Sequence, residues 1–259
     1  MISIIVPFKN AEKWIGRCCE SLERLDKGFE FIFVDDNSTD DGWDVVYQYV
    51  DRDMRFSLFD NIHAPGVSGA RNTGIGQADG TWIAFLDSDD TYSADAADSI
   101  RTAIKQYPEA GIIQLNHIRV MPDGSKRPRL SNPRGIYHLR SLPKLWMSSC
   151  NKLIRRDLIF DNIRFIEGLR HGEDEIFILE CLKKTRSLPC SERVALEYYK
   201  ENPNSLSSST TAGDLMGEQK ALMDFLALNL DDSDICEAVR NRQIELWQNS
   251  TYKRIFGGI

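Results

Sequence analysis

The sequence predicts an α/β protein built on an open, mostly parallel sheet with helices on both faces. Three observations carry this. Apolar runs of strand length alternate with segments whose apolar residues recur every three or four positions. The early runs are nearly unbroken in hydrophobicity, as in strands covered on both faces. Each ends in polar or glycine-rich residues, and in an open parallel sheet those ends share one edge, where ligands bind.

Element by element, Ile2 to Val6 is the first strand, and Asn10 is placed to cap a helix carrying Trp14, Ile15, Cys18, Cys19, Leu22 and Leu25 on one face. Phe29 to Val34, interrupted only by Glu30, is a central strand. A helix from about Asp40 to Asp51 and a strand near Arg55 to Phe59 follow. Val67 to Ala78 reads as a helix, Thr81 to Leu86 as a strand, Asp95 to Gln106 as a helix and Gly111 to Val120 as a fifth strand. Residues 121–135, rich in Pro, Gly, Arg and Ser, form a loop or a hairpin connection. Beyond them come a short helix over Leu139 to Met147, a strand at Lys152 to Ile154, a helix from Glu173 and a strand at Val194 to Tyr199. A Ser/Thr-rich loop over Asn202 to Ala212 leads into two closing helices, Asp214 to Leu230 and Asp234 to Trp247.

Composition bounds the function. The 259 residues are 42% hydrophobic and 27% charged, which excludes collagen-like and wholly disordered chains. No window approaches the ~18–20 apolar residues of a membrane-spanning helix, and Met1 to Val6 is too short and lacks the basic flank of a signal peptide. A cytosolic protein is therefore expected. The six cysteines form no CxxC pair and read as reduced core thiols. A net charge of -7 argues against a nucleic-acid binder, which needs a basic surface. The charge is nonetheless uneven: Arg119 to Arg156 holds ten basic residues against the single acid Asp123.

Chemistry concentrates at the strand ends. Asp87, Ser88, Asp89 and Asp90 follow the strand Trp82 to Leu86, and closely spaced carboxylates repel unless a cation sits among them. Asp-x-Asp suits Mg²⁺ or Mn²⁺, hard ions that take few protein oxygens and complete their shell with substrate phosphates and water. A solvated acidic turn is the other reading of the same residues. Asp35 and Asp36 either accept the imide N–H of a uracil ring or simply cap the next helix. Gly66 to Asn72 opens a helix with small residues, placing backbone N–H groups and Arg71 where an anion can approach. Adjacent Glu173 and Asp174 either occupy a helix N-terminus favoured by its dipole or supply a base whose pKa is tuned by repulsion and burial.

Taken in order, Val6-Pro7-Phe8-Lys9-Asn10, Val34-Asp35-Asp36-Asn37-Ser38-Thr39-Asp40, Gly66-Val67-Ser68-Gly69-Ala70-Arg71-Asn72 and Phe85-Leu86-Asp87-Ser88-Asp89-Asp90 closely resemble the family 2 inverting glycosyltransferases. Asn151 to Arg156 and Gly172 to Phe177 extend the likeness, which covers residues 1–206. The resemblance implies a GT-A fold: a Rossmann-like α/β/α sandwich with a mostly parallel central sheet and a C-terminal helical extension. It divides the chain into a domain of residues 1–210 (a nucleotide-sugar half, 1–92, and an acceptor half, 93–210) and an extension of residues 211–259.

The implied activity is metal-dependent inverting transfer from a nucleotide-sugar, a UDP-sugar above others, to a saccharide or lipid-linked saccharide. The donor is expected against Pro7, Asn10, Asp35, Asp36, Gly66, Arg71, Asp87, Ser88, Asp89 and Tyr199. Asp87 and Asp89 form the DxD pair that holds Mn²⁺ or Mg²⁺, and Asp174 matches the general base. Glu173, His171, Trp146 and Lys152 are further candidates. Lys9 departs from the tyrosine common in the family, and residues 121–145 match no family motif. The basic stretch reads either as a solvated face or as a surface attracting an anionic acceptor at the inner face of a membrane, with the protein peripherally associated. A catalytically inactive nucleotide-binding module of the same fold is the rival reading, against which intact Asp87, Asp89 and Asp174 argue. A dinucleotide-dependent oxidoreductase is excluded by the absence of Gly-x-Gly-x-x-Gly after the first strand.

Overall fold

The computed structural model describes residues 1–129, 133–142, 147–160, 162–200 and 210–248. Its first half is β1 (Ile2–Phe8), α1 (Glu12–Glu23), β2 (Phe29–Asp35), α2 (Gly42–Val50), β3 (Phe56–Asp60), α3 (Val67–Gln77) and β4 (Trp82–Phe85). β1 pairs in parallel with β2, from Ile2 opposite Phe29 to Phe8 opposite Asp35, and in parallel with β4, from Ile2 opposite Trp82 to Ile5 opposite Phe85. The register sets the ends of β1, β2 and β4 side by side, so that the polar segments following them meet on one edge.

The second half comprises β5 (Thr91–Tyr92), α4 (Ala96–Gln106), β6 (Ile112–Val120), β7 (Lys126–Arg129), β8 (Gly135–His138), β9 (Lys152–Arg155), α5 (Arg156–Phe160), α6 (Glu173–Thr185), β10 (Ser187–Tyr199), α7 (Ala212–Ala227) and α8 (Ser233–Gln248). The sheet runs β3-β2-β1-β4-β9-β6-β10-β5, with β7 on β6 and β8 on β10. β9 is antiparallel to both β4 and β6, so the turn that enters it lies at the edge where β4 ends.

The core is apolar on both faces of the sheet. Ile4, Ile5, Val6, Phe31, Phe33 and Phe85 are fully enclosed. α3 lies close on β1 because Gly74 faces Ile5, and a Cβ there would overlap the Ile5 side chain. In α6, Ile176, Phe177, Ile178, Leu179, Cys181 and Leu182 are buried, and Phe177 stacks on Phe165 with ring centroids 4.0 Å apart. Five of the six cysteines are buried and all six are free thiols.

Several elements differ from the sequence expectation. β10 begins at Ser187, seven residues before the expected strand, because Ser187 to Cys190 pair with β8; register shifts between Cys190 and Leu196 break the alternation that marks a strand. Of the helix expected over Leu139 to Met147, the described residues show a 3₁₀ turn, Leu139–Ser141, and residues 143–146 lie outside them. Residues 121–135 carry β7, with Pro128 on a strand that among the described residues pairs with β6 alone, where its missing N–H is tolerated. Asn10 does not cap α1: it sits at φ 49° and its side-chain oxygen accepts from the Thr39 N–H (2.7 Å), while Asp40 accepts from the Glu12 N–H (2.9 Å). No helix among the described residues is long and apolar enough to cross a membrane.

Candidate functional site

At the end of β2, Asp35 and Asp36 are buried and do different work. Asp35 closes its own turn, accepting from the Ser38 N–H (3.1 Å) and hydroxyl. Asp36 faces the start of α3: both its oxygens lie 2.9 Å from the Gly66 N–H donor, and Asn61 donates to it at 2.7 Å. Half-exposed Lys9 reaches it at 3.4 Å. Pro7 sits beside them, opposite Val34 in the β1–β2 ladder.

Arg71 is the hub of the site. Its guanidinium, with a side chain only 4% exposed, donates to Asp174 (2.8 Å), to Glu173 (3.2 Å) and to Asp87 (3.1 Å). Phe165 lies beneath it, its ring centroid 5.1 Å from the guanidinium carbon. Burial opposes the charge of Arg71, but the carboxylates of Asp174 and Asp87 raise its pKa above the ordinary value, so it is firmly cationic. Three carboxylates around one cation leave an excess of negative charge. Glu173 reflects it: burial, then the charge of Asp174, lifts its pKa from 4.5 to about 7 in spite of Arg71.

Asp174 is more exposed than Glu173, with a side chain 23% exposed against 10%. The turn that enters β9 holds it: the Ser149 hydroxyl donates to Oδ1 at 2.8 Å and the Ser149 N–H approaches Oδ2 at 3.3 Å. Lys152 is buried, and its ammonium donates to the Ser148 carbonyl (2.8 Å) and the Asn151 side chain (2.6 Å), bracing that turn from below. Burial lowers the Lys152 pKa to about 7.

Asp87, Ser88 and Asp89 are half-buried at the end of β4, whereas Asp90 turns inward and accepts from the Tyr199 N–H at 2.8 Å. Burial, with Asp87 and Asp89 nearby, pushes the Asp90 carboxyl well above the usual carboxylate range. Arg17 of α1 grips this loop from behind, donating to the Asp89 carbonyl (2.8 Å) and stacking 3.5 Å from the Tyr199 ring centroid. Among the described residues no three His, Cys, Asp or Glu side chains are arranged to hold a metal ion unaided. The donor set does fit an ion completed by substrate oxygens: Asp87 engages Arg71 through one oxygen only and Asp89 stands two residues on, at the sheet edge.

The structure thus brings together Arg71, Asp87, Glu173 and Asp174, with Ser88 and Asp89 adjoining, and sets Asp36 and Gly66 at the start of α3, five residues before Arg71. His171 lies on the turn before Asp174, its ring against the Thr210 hydroxyl at 3.1 Å. Trp146 lies outside the described residues. Sequence reasoning missed Arg17, Ser149 and Asn72. The Asn72 amide bonds both the N–H and the carbonyl of Phe165 and so holds the floor of the site, and no local pattern marks such a contact across 93 positions. The basic stretch is not one continuous cationic face: Lys126 pairs with Glu197, Arg140 with Asp234 and Arg155 with Asp157, and Lys152 is interior.

The fold is that of a GT-A protein. Residues 3–168 match the model of glycosyl transferase family 2, and the chain belongs to that family. It is 30% identical over 220 residues to the uncharacterized glycosyltransferase EpsJ of Bacillus subtilis, covering 80% of this chain and 63% of EpsJ. It is 27% identical over 255 residues to the poly(ribitol-phosphate) beta-N-acetylglucosaminyltransferase TarS of Staphylococcus aureus, covering 93% of this chain and 42% of TarS. The crystal structure of S. aureus TarS in complex with UDP-GlcNAc shares the fold with a TM-score of 0.73 at 23% identity, over 87% of this chain and 66% of that one. The chain therefore spans less than two thirds of these proteins.

Proposed function

We propose that this chain transfers a sugar from a UDP-sugar to a hydroxyl of a saccharide or lipid-linked saccharide, with inversion at the anomeric carbon. The observation that carries the reading is the junction at Arg71, which ties the strand-end Asp87 to Asp174, 87 positions further on, leaving both carboxylates open to solvent at the sheet edge. The names of relatives support the substrate class. A segment of 91 residues, 35% of this chain and 36% of the relative, is 41% identical to the Escherichia coli enzyme named UDP-Glc:alpha-D-GlcNAc-diphosphoundecaprenol beta-1,3-glucosyltransferase WfaP.

Each residue then has a task. Asp36, a buried acceptor beside Gly66, takes the imide N–H of uracil. Asp87 and Asp89 hold Mn²⁺ or Mg²⁺, which when bound neutralises charge developing on the leaving diphosphate. Asp174 receives the proton of the attacking hydroxyl. Its Oδ1 is engaged by Arg71 and Ser149, so Oδ2, with only the long Ser149 contact, is the oxygen that accepts it. A base on the face opposite the leaving group produces inversion in a single displacement. Arg71 and Ser149 fix the carboxylate's orientation before the acceptor arrives.

The test is UDP release from a panel of UDP-sugars with Mn²⁺, with product stereochemistry read by NMR. The reading requires turnover that Asp174→Asn lowers by roughly 10²–10⁴-fold and an inverted product. The same panel includes guanine and thymine nucleotide-sugars, read by nucleoside diphosphate release: turnover only with those, or a retained configuration, would overturn the donor or the mechanism respectively.

A further inference from the structure

We infer that the two C-terminal helices, α7 and α8, are part of the catalytic apparatus: they clasp the turn that carries Asp174, with Arg242 as the positioning residue. The inference rests on Asp174 being the base, as proposed above.

The turn before α6 is held from outside at almost every residue. Leu169 packs where Gly217 of α7 leaves room, since a Cβ at Gly217 would stand 3.4 Å from the Leu169 side chain. Arg170 reaches Asp214 at 3.7 Å, and the His171 ring meets Thr210 at 3.1 Å. Gly172 adopts φ 83°, and a Cβ there would lie 2.8 Å from Cγ of Glu218, so α7 sits directly on the backbone two residues before the base. Glycine is required twice over, by its left-handed conformation and by the approach of α7.

α8 locks the arrangement one residue past the base. Arg242 donates to Glu175 at 2.6 Å and reaches Glu218 at 3.4 Å, joining α6 and α7 through one guanidinium. All three side chains are enclosed, at 13%, 2% and 7% exposure. A planar fork binding two acids on two helices fixes an angle between them, which a single-point ammonium cannot do. Asp174 faces the sheet edge while its neighbour Glu175 faces α8. The rotation of α6 that aims the base is therefore held from a second side, by a contact outside the α/β domain that adds to those of Arg71 and Ser149.

The experiment compares Arg242→Met and Arg242→Lys with wild type in the full chain. Amide hydrogen exchange is read over residues 169–176 and, as a reporter of global opening, over β1 and β4. UDP release with Mn²⁺ from whichever UDP-sugar of the panel the wild type turns over fastest, and UDP affinity by calorimetry, are measured in parallel. We expect faster exchange confined to 169–176, with turnover down about tenfold while the donor KM and UDP affinity stay within about twofold. The lysine variant should recover part of both. Should Arg242→Met fail to fold, Arg242→Lys carries the same readouts. Exchange rising equally in β1 and β4, exchange unchanged in the turn, or turnover unchanged despite a loosened turn would each overturn the inference. If wild type releases no UDP from any UDP-sugar, the proposed function fails, while the exchange data still decide whether the clasp exists.

Discussion

Glu173 gives the most quantitative handle on the site. It is buried beside Asp174, and its pKa stands at about 7 against an ordinary 4.5. An acid whose folded pKa is raised favours the folded state while it is neutral. Its contribution is therefore complete below about pH 4.5 and is lost progressively as pH rises through 7. At about 1.4 kcal/mol per pKa unit, the loss by pH 8 amounts to about 3 kcal/mol. Glu173→Gln keeps a side-chain oxygen for the 3.2 Å bond from Arg71 and removes the titration. The variant should match wild type near pH 4.5 and exceed it by up to about 3 kcal/mol at pH 8, a gain of several degrees in Tm for a chain of this length. Urea unfolding and thermal melts from pH 4.5 to 8.5 measure the difference directly. A difference independent of pH, or one that favours wild type increasingly as pH rises, would refute the reasoning.

Asp174→Asn should lower turnover by roughly 10²–10⁴-fold with donor affinity nearly unchanged, because shape survives and basicity does not; steady-state kinetics with UDP binding separate the two. Asp89→Ala should abolish the Mn²⁺-dependent part of the thermal stabilisation by UDP while leaving the Tm of the ligand-free protein within a degree or two; melts with and without chelator test it. Arg71→Met removes the cation shared by Asp87, Glu173 and Asp174, and breaking a buried pair costs ~3–5 kcal/mol. Because Asp87 and Asp174 are 37% and 23% exposed and regain water, the lower end is expected, read as a shift of the urea midpoint at pH 8 that shrinks at pH 4.5.

What the sequence by itself determined is local and periodic. Alternation of apolar runs with three-and-four spacing sets the order β1-α1-β2-α2-β3-α3-β4, and the residues after Val6, Val34 and Leu86 fall on one sheet edge because parallel strands end together. The placing of Asp36, Asp87, Asp89 and Asp174 at element ends was legible because they sit in contiguous motifs there. Tertiary structure alone decided what those side chains meet. Arg71 stood in a helix-opening motif suited to an anion, yet it binds acids 16, 102 and 103 positions away, since the antiparallel insertion of β9 and the packing of α6 bring those loops over α3. Ser149 and Asn72 carry no periodic signal, and Gly172 needs its absent side chain only because Glu218 of α7 lies against it. Propensity and pattern act over a few residues, whereas burial, charge balance and the orientation of a sheet-edge carboxylate are set by chain segments that meet only when the sheet and its covering helices close.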